Sequence, residues 1–362
     1  MSSITSATAY LVDIPVETVR TDASQSFLKQ ETIFVELTTD DGGSGRGYSY
    51  TIGTGGSAVL ALLTDYLLPR LVGHDARDVE AIWRDLHSTT RATAVGAITS
   101  LALAAVDTAV WDWRGQHTGL PLWRLAGGAK DRIPLYDTEV GWLHLSIDEI
   151  IEGAKAALAA GMTGVKVKIG KPSPAEDVER LTALRAAVGP DVDLMVDANQ
   201  SLTAAEAIRR ARLLEPVDLF WLEEPLPADD VAGHERLARS TTIPIAVGES
   251  MYSIGHFAEY LARGAAGIVQ VDVARVGGIT PWLKVAHLAE AHNVLVCPHF
   301  LMELHVSLCA AVPNSRYLEH IPQLRAVTRH EVGIVDGHAL VPAAPGLGID
   351  WDLDAIDNLR IA

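Results

Sequence analysis

Three apolar stretches that each stop at a carboxylate constrain the fold of this chain more than any other feature. They are residues 193–197, 219–223 and 243–249, and they end on Asp197, Glu223 and Glu249. The carboxylates follow one another at intervals of 26 residues, about the length of one strand plus one helix. Because the carboxyl ends of parallel strands meet at one rim, this interval predicts a parallel barrel with the three acidic groups side by side.

The same alternation of strand and helix extends before and after these stretches. It begins with the strand at 133–138, and the later strands carry polar groups, which are Asp272, His299 and Glu319. Capping-box pairs, a hydroxyl residue with a glutamate three positions later, predict helix starts at Ser146, Ser173 and Thr203. A doubly wound open sheet would produce a similar alternation and is kept as an alternative fold.

A pair of lysines lies on the strand that precedes the first carboxylate. Lys166 and Lys168 are two residues apart in a β-branched run, so both ammonium groups are expected on one face. Each charge disfavours protonation of the other, and desolvation in a cavity acts in the same direction, so that one amine can serve as a base near pH 7. The alternative is an edge strand with solvated lysines.

The acidic strand ends offer ligands for a metal ion. Asp197, Glu223 and Glu249 would supply hard oxygen ligands without sulfur, which favours Mg²⁺, with Mn²⁺ as a substitute. Alternatively, the carboxylates cap helices or pair with the lysines. His299 follows Asp272 by one strand, and a carboxylate from the neighbouring strand would fix the imidazole tautomer and raise its basicity.

The chain divides into regions of different pattern. Antiparallel strand patterns over residues 4–52 give way to helical periodicity that ends in a Gly/Pro-rich exit at 119–128. The polar segment 20–30, here called the lid, has a length that is common among functional loops, although a merely solvated loop is an alternative. The predicted divisions are residues 1–128 for an α+β domain, 129–320 for the barrel and 321–362 for a segment that packs back on the first domain.

Charge and cysteine content exclude several kinds of partner. The net charge of −17 over 362 residues argues against nucleic-acid and anionic-membrane surfaces. An anionic substrate then needs local positive charge, which the lysines and a metal ion would supply.

The two cysteines, Cys297 and Cys309, are predicted to be buried thiols of a reducing compartment, and the N-terminus lacks a secretory pattern, so we expect a cytoplasmic protein. The apolar stretch 97–113 carries polar residues and is predicted to be a buried helix.

These motifs together resemble the enolase superfamily. The lysine pair facing a His–Asp dyad is similar to the mandelate racemase subgroup, and further motifs of the resemblance are Asp272-x-x-Arg275-x-Gly277-Gly278 and Trp221-Leu-Glu-Glu-Pro225. The resemblance implies a modified TIM barrel, (β/α)7β, with an N-terminal α+β capping domain. It also implies a Mg²⁺ cofactor, a small carboxylate substrate and a homo-oligomer, for example an octamer. Arg275 departs from the lysine of many members, and the segment 139–145, which contains Trp142, is slightly longer than in the namesake.

The resemblance also implies a role for each site residue. Lys168, with Lys166 beside it, would remove or return the proton α to a substrate carboxylate on one face. His299, held by Asp272, would serve the opposite face as base or acid. The implied substrate contacts are Glu319 with the carboxylate, and Thr138 and Asn199 with a hydroxyl or the carboxylate.

The fate of the resulting enediolate defines the reaction. Expulsion of a β-hydroxyl yields a 2-keto-3-deoxy acid, whereas reprotonation on the other face yields a racemase or epimerase. We favour dehydration of an acid sugar because the lid is polar, which suits a polyhydroxy substrate. A metal-dependent barrel hydrolase, or a barrel that binds an acidic metabolite without turnover, would use the same carboxylates but would not need the paired lysines.

Overall fold

An antiparallel sheet begins the fold, and the computed structural model describes residues 2–362 of the chain. Its strands are β1 (Ile4–Ile14), β2 (Gln30–Thr39) and β3 (Ser44–Thr51), in that order across the sheet. The helices that follow are α1 (Gly56–Leu62), α2 (Leu68–Leu71), α3 (Val79–Thr89), α4 (Ala97–Thr118) and α5 (Leu122–Leu125), with a π-helical turn at Leu63–Leu67. The predicted α+β capping unit is therefore present.

Helix α4 lies close to the sheet because two glycines of β3 leave room for it. A Cβ at Gly47 would lie 2.2 Å from the Ala109 nitrogen, and a Cβ at Gly45 would lie 2.3 Å from the Ala109 oxygen. A side chain at either position would push the helix away from the sheet. Most of α4 is buried, as predicted for residues 97–113. Among residues 2–362, no helix is both long and apolar enough to cross a membrane.

The next part of the chain forms a closed barrel of parallel strands. These strands are β4 (Arg132–Asp137), β5 (Gly164–Lys168), β6 (Asp193–Asp197), β7 (Trp221–Glu223), β8 (Ile245–Val247), β9 (Ile268–Val269), β10 (Leu295–Val296) and β11 (Leu318–His320). The helices between them are α6 (Ile147–Ala159), α7 (Pro174–Val188), α8 (Ala204–Leu214), α9 (Val231–Ala238), α10 (Ile254–Ala262), α11 (Ile279–Ala291) and α12 (Met302–Ala311).

The barrel closes through its first and last strands. Strand β11 pairs in parallel with β4, and Val296 of β10 forms a bridge with Ser315, just before β11. The sheet therefore has no free edge at this point, which confirms the predicted (β/α)7β barrel and contradicts the open doubly wound alternative.

Apolar and aromatic side chains fill the barrel below its polar rim. The buried cluster consists of Tyr136, Met195, Trp221, Ala246, Ile268, Cys297 and Tyr317. The rings of Tyr136 and Trp221 pack edge to face at 5.2 Å. Cys297 lies in this cluster and Cys309 lies on α12, and both are buried free thiols, as predicted.

The strand register aligns the residues at the rim. Lys168 of β5 pairs with Asp197 of β6, and Asp197 pairs with Glu223 of β7. Because adjacent parallel strands lie about 4.8 Å apart, this register brings the three side chains to the same height and within reach of one another.

Two of the three predicted helix caps form with side-chain hydrogen bonds. Ser146 and Glu149 make a full capping box at the start of α6, and the Thr203 hydroxyl accepts a hydrogen bond from the Glu206 nitrogen at the start of α8. Ser173 makes no such bond at the start of α7, where Pro174 occupies the first turn. The cap predicted at Ser173 is therefore wrong in its hydrogen bonding, although the helix begins at the expected residue.

The C-terminal segment contacts both preceding parts of the structure. It contains β12 (Ile334–Val335), β13 (His338–Leu340) and α13 (Leu353–Leu359), and β13 pairs antiparallel with β4 of the barrel. Trp351 packs edge to face against Phe34 at 5.0 Å and against Tyr48 at 5.4 Å. The domain divisions at residues 128 and 320 remain predictions.

We expect Trp351→Ala to destabilise the protein because its indole covers the aromatic rings of Phe34 and Tyr48. The free energy of unfolding should fall by about 2–3 kcal/mol, measured by chemical denaturation. Leu353→Ala is the control, because Leu353 is 44% exposed and its truncation should change stability by about 0.5 kcal/mol or less. Equal effects of the two substitutions would contradict this packing role.

Candidate active site

A carboxylate triad lies at the rim of the barrel. Asp197 and Glu223 end β6 and β7, Glu249 follows β8 by two residues, and all three are buried. One ligand atom from each lies within 4.8 Å of the others, and within residues 2–362 this is the only such group of acidic, histidine and cysteine side chains. Three converging hard oxygen ligands fit a divalent cation such as Mg²⁺.

The two lysines lie against this triad and are buried. Lys166 Nζ is 3.0 Å from Glu223 Oε1 and 2.8 Å from Glu319 Oε1, and Lys168 Nζ is 2.5 Å from Asp197 Oδ2. The solvated edge strand is therefore excluded. Burial acts to lower the pKa of Lys168, but the attraction of Asp197 prevails and raises it. The expected lowering of a lysine pKa by the neighbouring ammonium group and by desolvation is outweighed here, because carboxylates surround both amines.

The predicted His–Asp dyad is present on the other side of the triad. His299 Nδ1 lies 3.0 Å from Asp272 Oδ2, and His299 Nε2 lies 3.4 Å from Glu249 Oε2. Burial acts to lower the pKa of His299, whereas the charge of Glu249 and the hydrogen bond with Asp272 raise it. Burial acts to raise the pKa of Asp272, but the bond with His299 dominates and the pKa falls to about 2.

The remaining predicted site residues occupy the same rim. Thr138 Oγ1 donates a hydrogen bond of 2.9 Å to Glu319 Oε1, and Glu319 Oε2 accepts one of 2.7 Å from the Phe300 nitrogen. The Asn199 nitrogen donates to Asp197 Oδ1 at 2.9 Å, while the Asn199 side-chain oxygen is buried and makes no hydrogen bond. Asn199 thus holds the triad through its backbone and leaves an acceptor free.

Tyr50 of the capping unit is a site residue that the sequence reasoning missed. Its hydroxyl donates a hydrogen bond of 2.7 Å to Asp272 Oδ2, the oxygen that also faces His299. Arg275 donates to the Tyr50 oxygen at 3.2 Å and to the Glu249 backbone oxygen at 3.0 Å. The alternation of Tyr48 and Tyr50 in β3 was a signal that both rings share one face, but it did not show that this face meets the barrel.

The lid is a small hairpin that presents an apolar face to the site. Thr21 and Ser26 form a bridge, and the side chains between them are partly or fully exposed. Phe27 points inward, with its ring 6.0 Å from that of Trp142 and 6.4 Å from that of Phe300. The polar residues between Thr21 and Ser26 therefore lie on the solvent side of the lid. The polarity of the lid sequence does not support a polyhydroxy substrate.

The fold and the site define a metal-dependent barrel enzyme that places a lysine and a histidine at opposite ends of a carboxylate triad. The family profile described as "Mandelate racemase / muconate lactonizing enzyme, N-terminal domain" matches residues 6–127, and the profile "Enolase C-terminal domain-like" matches residues 149–355. The chain therefore belongs to the enolase superfamily, in its mandelate racemase and muconate lactonizing enzyme family. This result confirms the resemblance inferred from the motifs.

Individual relatives extend the similarity over most of the chain. The L-talarate/galactarate dehydratase of Salmonella typhimurium is 36% identical over 316 residues, which are 87% of this chain and 79% of that protein. The 3,6-anhydro-alpha-L-galactonate cycloisomerase of Streptomyces coelicolor is 36% identical over 353 residues, which are 97% of this chain and 98% of that protein. The crystal structure of L-talarate dehydratase from Polaromonas sp. JS666, complexed with Mg and L-glucarate, has a TM-score of 0.95 at 35% identity and covers 100% of this chain and 98% of that chain.

We expect Mg²⁺ to stabilise the protein through the triad. At a free Mg²⁺ concentration of 100 times the dissociation constant, the free energy of unfolding should rise by about 2.7 kcal/mol, measured by thermal or chemical denaturation. Glu249→Gln should abolish most of this increase because it removes a charged ligand. Asp193→Asn is the control, because Asp193 begins β6 and bonds the Tyr317 hydroxyl away from the triad. An unchanged Mg²⁺ response in Glu249→Gln would rule out the site.

Proposed function

We propose that this chain is a Mg²⁺-dependent enzyme that abstracts the proton α to a carboxylate and dehydrates an acid sugar to a 2-keto-3-deoxy acid. The observation that carries the proposal is the placement of two proton-transfer groups at opposite ends of one triad. Lys168 contacts Asp197 at one end, and His299 contacts Glu249 at the other. A substrate held between them therefore meets a base or acid on each face.

The chain's own residues account for the proton movements. Lys168 Nζ removes the α proton from one face once it is neutral, and Mg²⁺ bound by the triad would offset the Asp197 charge that otherwise keeps this amine protonated. Lys166 holds a positive charge beside it. His299, oriented by Asp272, protonates the departing β-hydroxyl from the opposite face. Glu319, which accepts a hydrogen bond from Thr138, donates one to the substrate carboxylate when it carries a proton. Each of these roles is part of the proposal.

The α proton of a carboxylate is weakly acidic because its removal leaves two negative charges on the oxygens. Asp197, Glu223 and Glu249 would hold Mg²⁺, which would stabilise this charge and offset that of the triad. The surrounding burial keeps water away from the reacting carbon, which strengthens each electrostatic interaction.

The relatives support an acid sugar as the substrate. The Salmonella protein is named for talarate and galactarate dehydration, and the Polaromonas protein was crystallised with L-glucarate. All of these compounds are polyhydroxy dicarboxylates with a hydroxyl β to the acidic carbon.

Isomerisation is a second candidate function. It shares the first proton transfer, and the match along 97% of this chain to a cycloisomerase favours it. The apolar face of the lid also suits a substrate with fewer hydroxyl groups. A racemase or epimerase would use the same Lys168 and His299 pair. A hydrolase or a passive binder would leave the buried lysines without a role, so we do not favour either.

We propose that the protein works as a cytoplasmic homo-oligomer, possessing the domains 1–128 and 129–320 and the returning segment 321–362. Buried free thiols support a reducing compartment, and the net charge of −17 disfavours nucleic acid and anionic membranes as partners. The resemblance to the subgroup supports the assembly, including an octamer.

We expect α-proton exchange and 2-keto acid formation when the enzyme, Mg²⁺ and a panel of acid sugars and α-hydroxy acids are incubated in D₂O. The panel includes galactarate and talarate, which differ in configuration at one α carbon. A 2-keto product, detected by semicarbazide and by NMR, supports dehydration. A deuterated epimer formed without loss of water supports isomerisation. Absence of exchange across the panel would refute the proposed chemistry.

Substitutions should separate the two proton-transfer roles. Lys168→Ala should lower turnover about 10³-fold because the base is lost. His299→Asn should abolish dehydration while Lys168 still exchanges the α proton of substrates with the matching configuration, measured by ¹H NMR. Lys171→Ala, three residues beyond Lys168 and partly exposed, is the control and should retain turnover. Loss of both activities in His299→Asn would contradict this division.

A further inference from the structure

A buried tryptophan covers the amine assigned as the base. Trp142 is 2% exposed, and Lys168 Nζ lies 5.3 Å from the centre of its indole ring. On another side the same amine contacts Asp197. The indole face therefore closes a side of Lys168 that would otherwise admit water, and the quadrupole of the ring attracts the ammonium group.

Two charged residues hold this indole in place. The Trp142 ring nitrogen donates a hydrogen bond of 2.8 Å to Glu139 Oε2. Arg20, at the base of the lid, donates to Glu139 Oε1 through Nε at 3.0 Å and also forms an ion pair with it. Arg20 is itself buried, and its Nη1 reaches Gln323 at 3.3 Å. An ion pair shielded in this way keeps its orientation better than an exposed pair.

The lid contacts the same region at further points. The Leu143 nitrogen donates to the Thr21 oxygen at 3.0 Å, and Phe27 packs on the Trp142 ring. At the tip of the lid, Ala23 lies so close to Gly170 that a Cβ on this glycine would be 2.9 Å from the Ala23 Cβ. The lid therefore rests on the segments that carry Trp142 and Lys168.

We propose that Trp142 is a positioning residue for proton transfer at Lys168, and that the lid keeps it in place through Arg20 and Glu139. This inference rests on the proposed function. It assigns to the indole a task on the face of the substrate that Lys168 serves, and none on the face that His299 serves.

The test measures the primary deuterium isotope effect with α-deuterated substrates of both configurations. Galactarate is a meso compound with one α carbon of each configuration, whereas the two α carbons of talarate share one configuration, so the deuterium is placed at a single α carbon of known configuration. In Trp142→Leu, kcat for the substrate that reacts at Lys168 should fall about tenfold to a hundredfold, as expected for a misplaced base. Its isotope effect on kcat should rise, because proton transfer becomes more rate-limiting, and KM should change little. Exchange on the His299 face should stay within about threefold of the wild type.

Further variants keep the test decisive if Trp142→Leu does not fold. Trp142→Phe keeps a ring but loses the bond to Glu139, and Glu139→Gln keeps an acceptor but loses the charge that holds Arg20. Both variants should show the same fall in kcat and the same rise in the isotope effect at the Lys168 face, to a smaller extent than Trp142→Leu. The matched control is Trp123→Leu, because Trp123 also donates an indole hydrogen bond, to Pro342, and stacks on a cation, Arg124, outside the site.

The outcomes separate this inference from the proposed function. A fall in kcat with an unchanged isotope effect, or an equal fall on both faces, would overturn the positioning role while leaving the function standing. Wild-type turnover in Trp142→Leu would do the same. Absence of exchange by the wild-type enzyme with both epimers would overturn the proposed function and this inference with it.

Discussion

The compensation of charge among buried groups at the barrel rim is the interaction on which the rest of the site depends. Two ammonium groups, of Lys166 and Lys168, face four carboxylates, of Asp197, Glu223, Glu249 and Glu319. An ion removed from water without partners is strongly destabilising, so each of these side chains requires the others. Burial, and after it the charge of Asp197, raises the pKa of Glu223 to about 8. The four carboxylates outnumber the two ammonium groups, and a divalent cation bound by the triad would balance the difference.

The capping unit completes the site that the barrel begins. Tyr50 reaches from β3 to the carboxylate of Asp272, and Arg20 reaches from the lid to Glu139. The barrel alone would leave the Asp272 oxygen with fewer donors and the indole of Trp142 without its lid contacts. The geometry of the site therefore depends on the contact between the two units, which the C-terminal segment reinforces through Trp351.

Much of the site was predictable because its acidic residues recur at a regular interval in the sequence. Asp197 and Glu223 follow the repeat of strand and helix, and a repeat of this kind has few folded solutions. Lys168 was predictable because its strand precedes theirs by one unit. The electrostatic environment of Lys168 was not predictable, because it depends on how closely the carboxylates of neighbouring strands approach the amine.

The lid shows the opposite case. Its composition is polar, yet the polar side chains of residues 21–26 are partly or fully exposed and Arg20 is buried against Glu139, while Phe27 faces the site. Composition therefore did not predict the surface that the lid presents to the site. The roles of Tyr50 and Trp142 likewise depend on contacts between residues far apart in the chain.

The sequence by itself determined the alternation of strands and helices, the carboxylate triad and the positions of Lys168 and His299 within that alternation, because strand period and residue chemistry are local properties. The tertiary structure alone decided which aromatic rings surround Lys168 and which tyrosine supports the dyad. Those contacts arise from packing between elements whose relative positions no local pattern specifies.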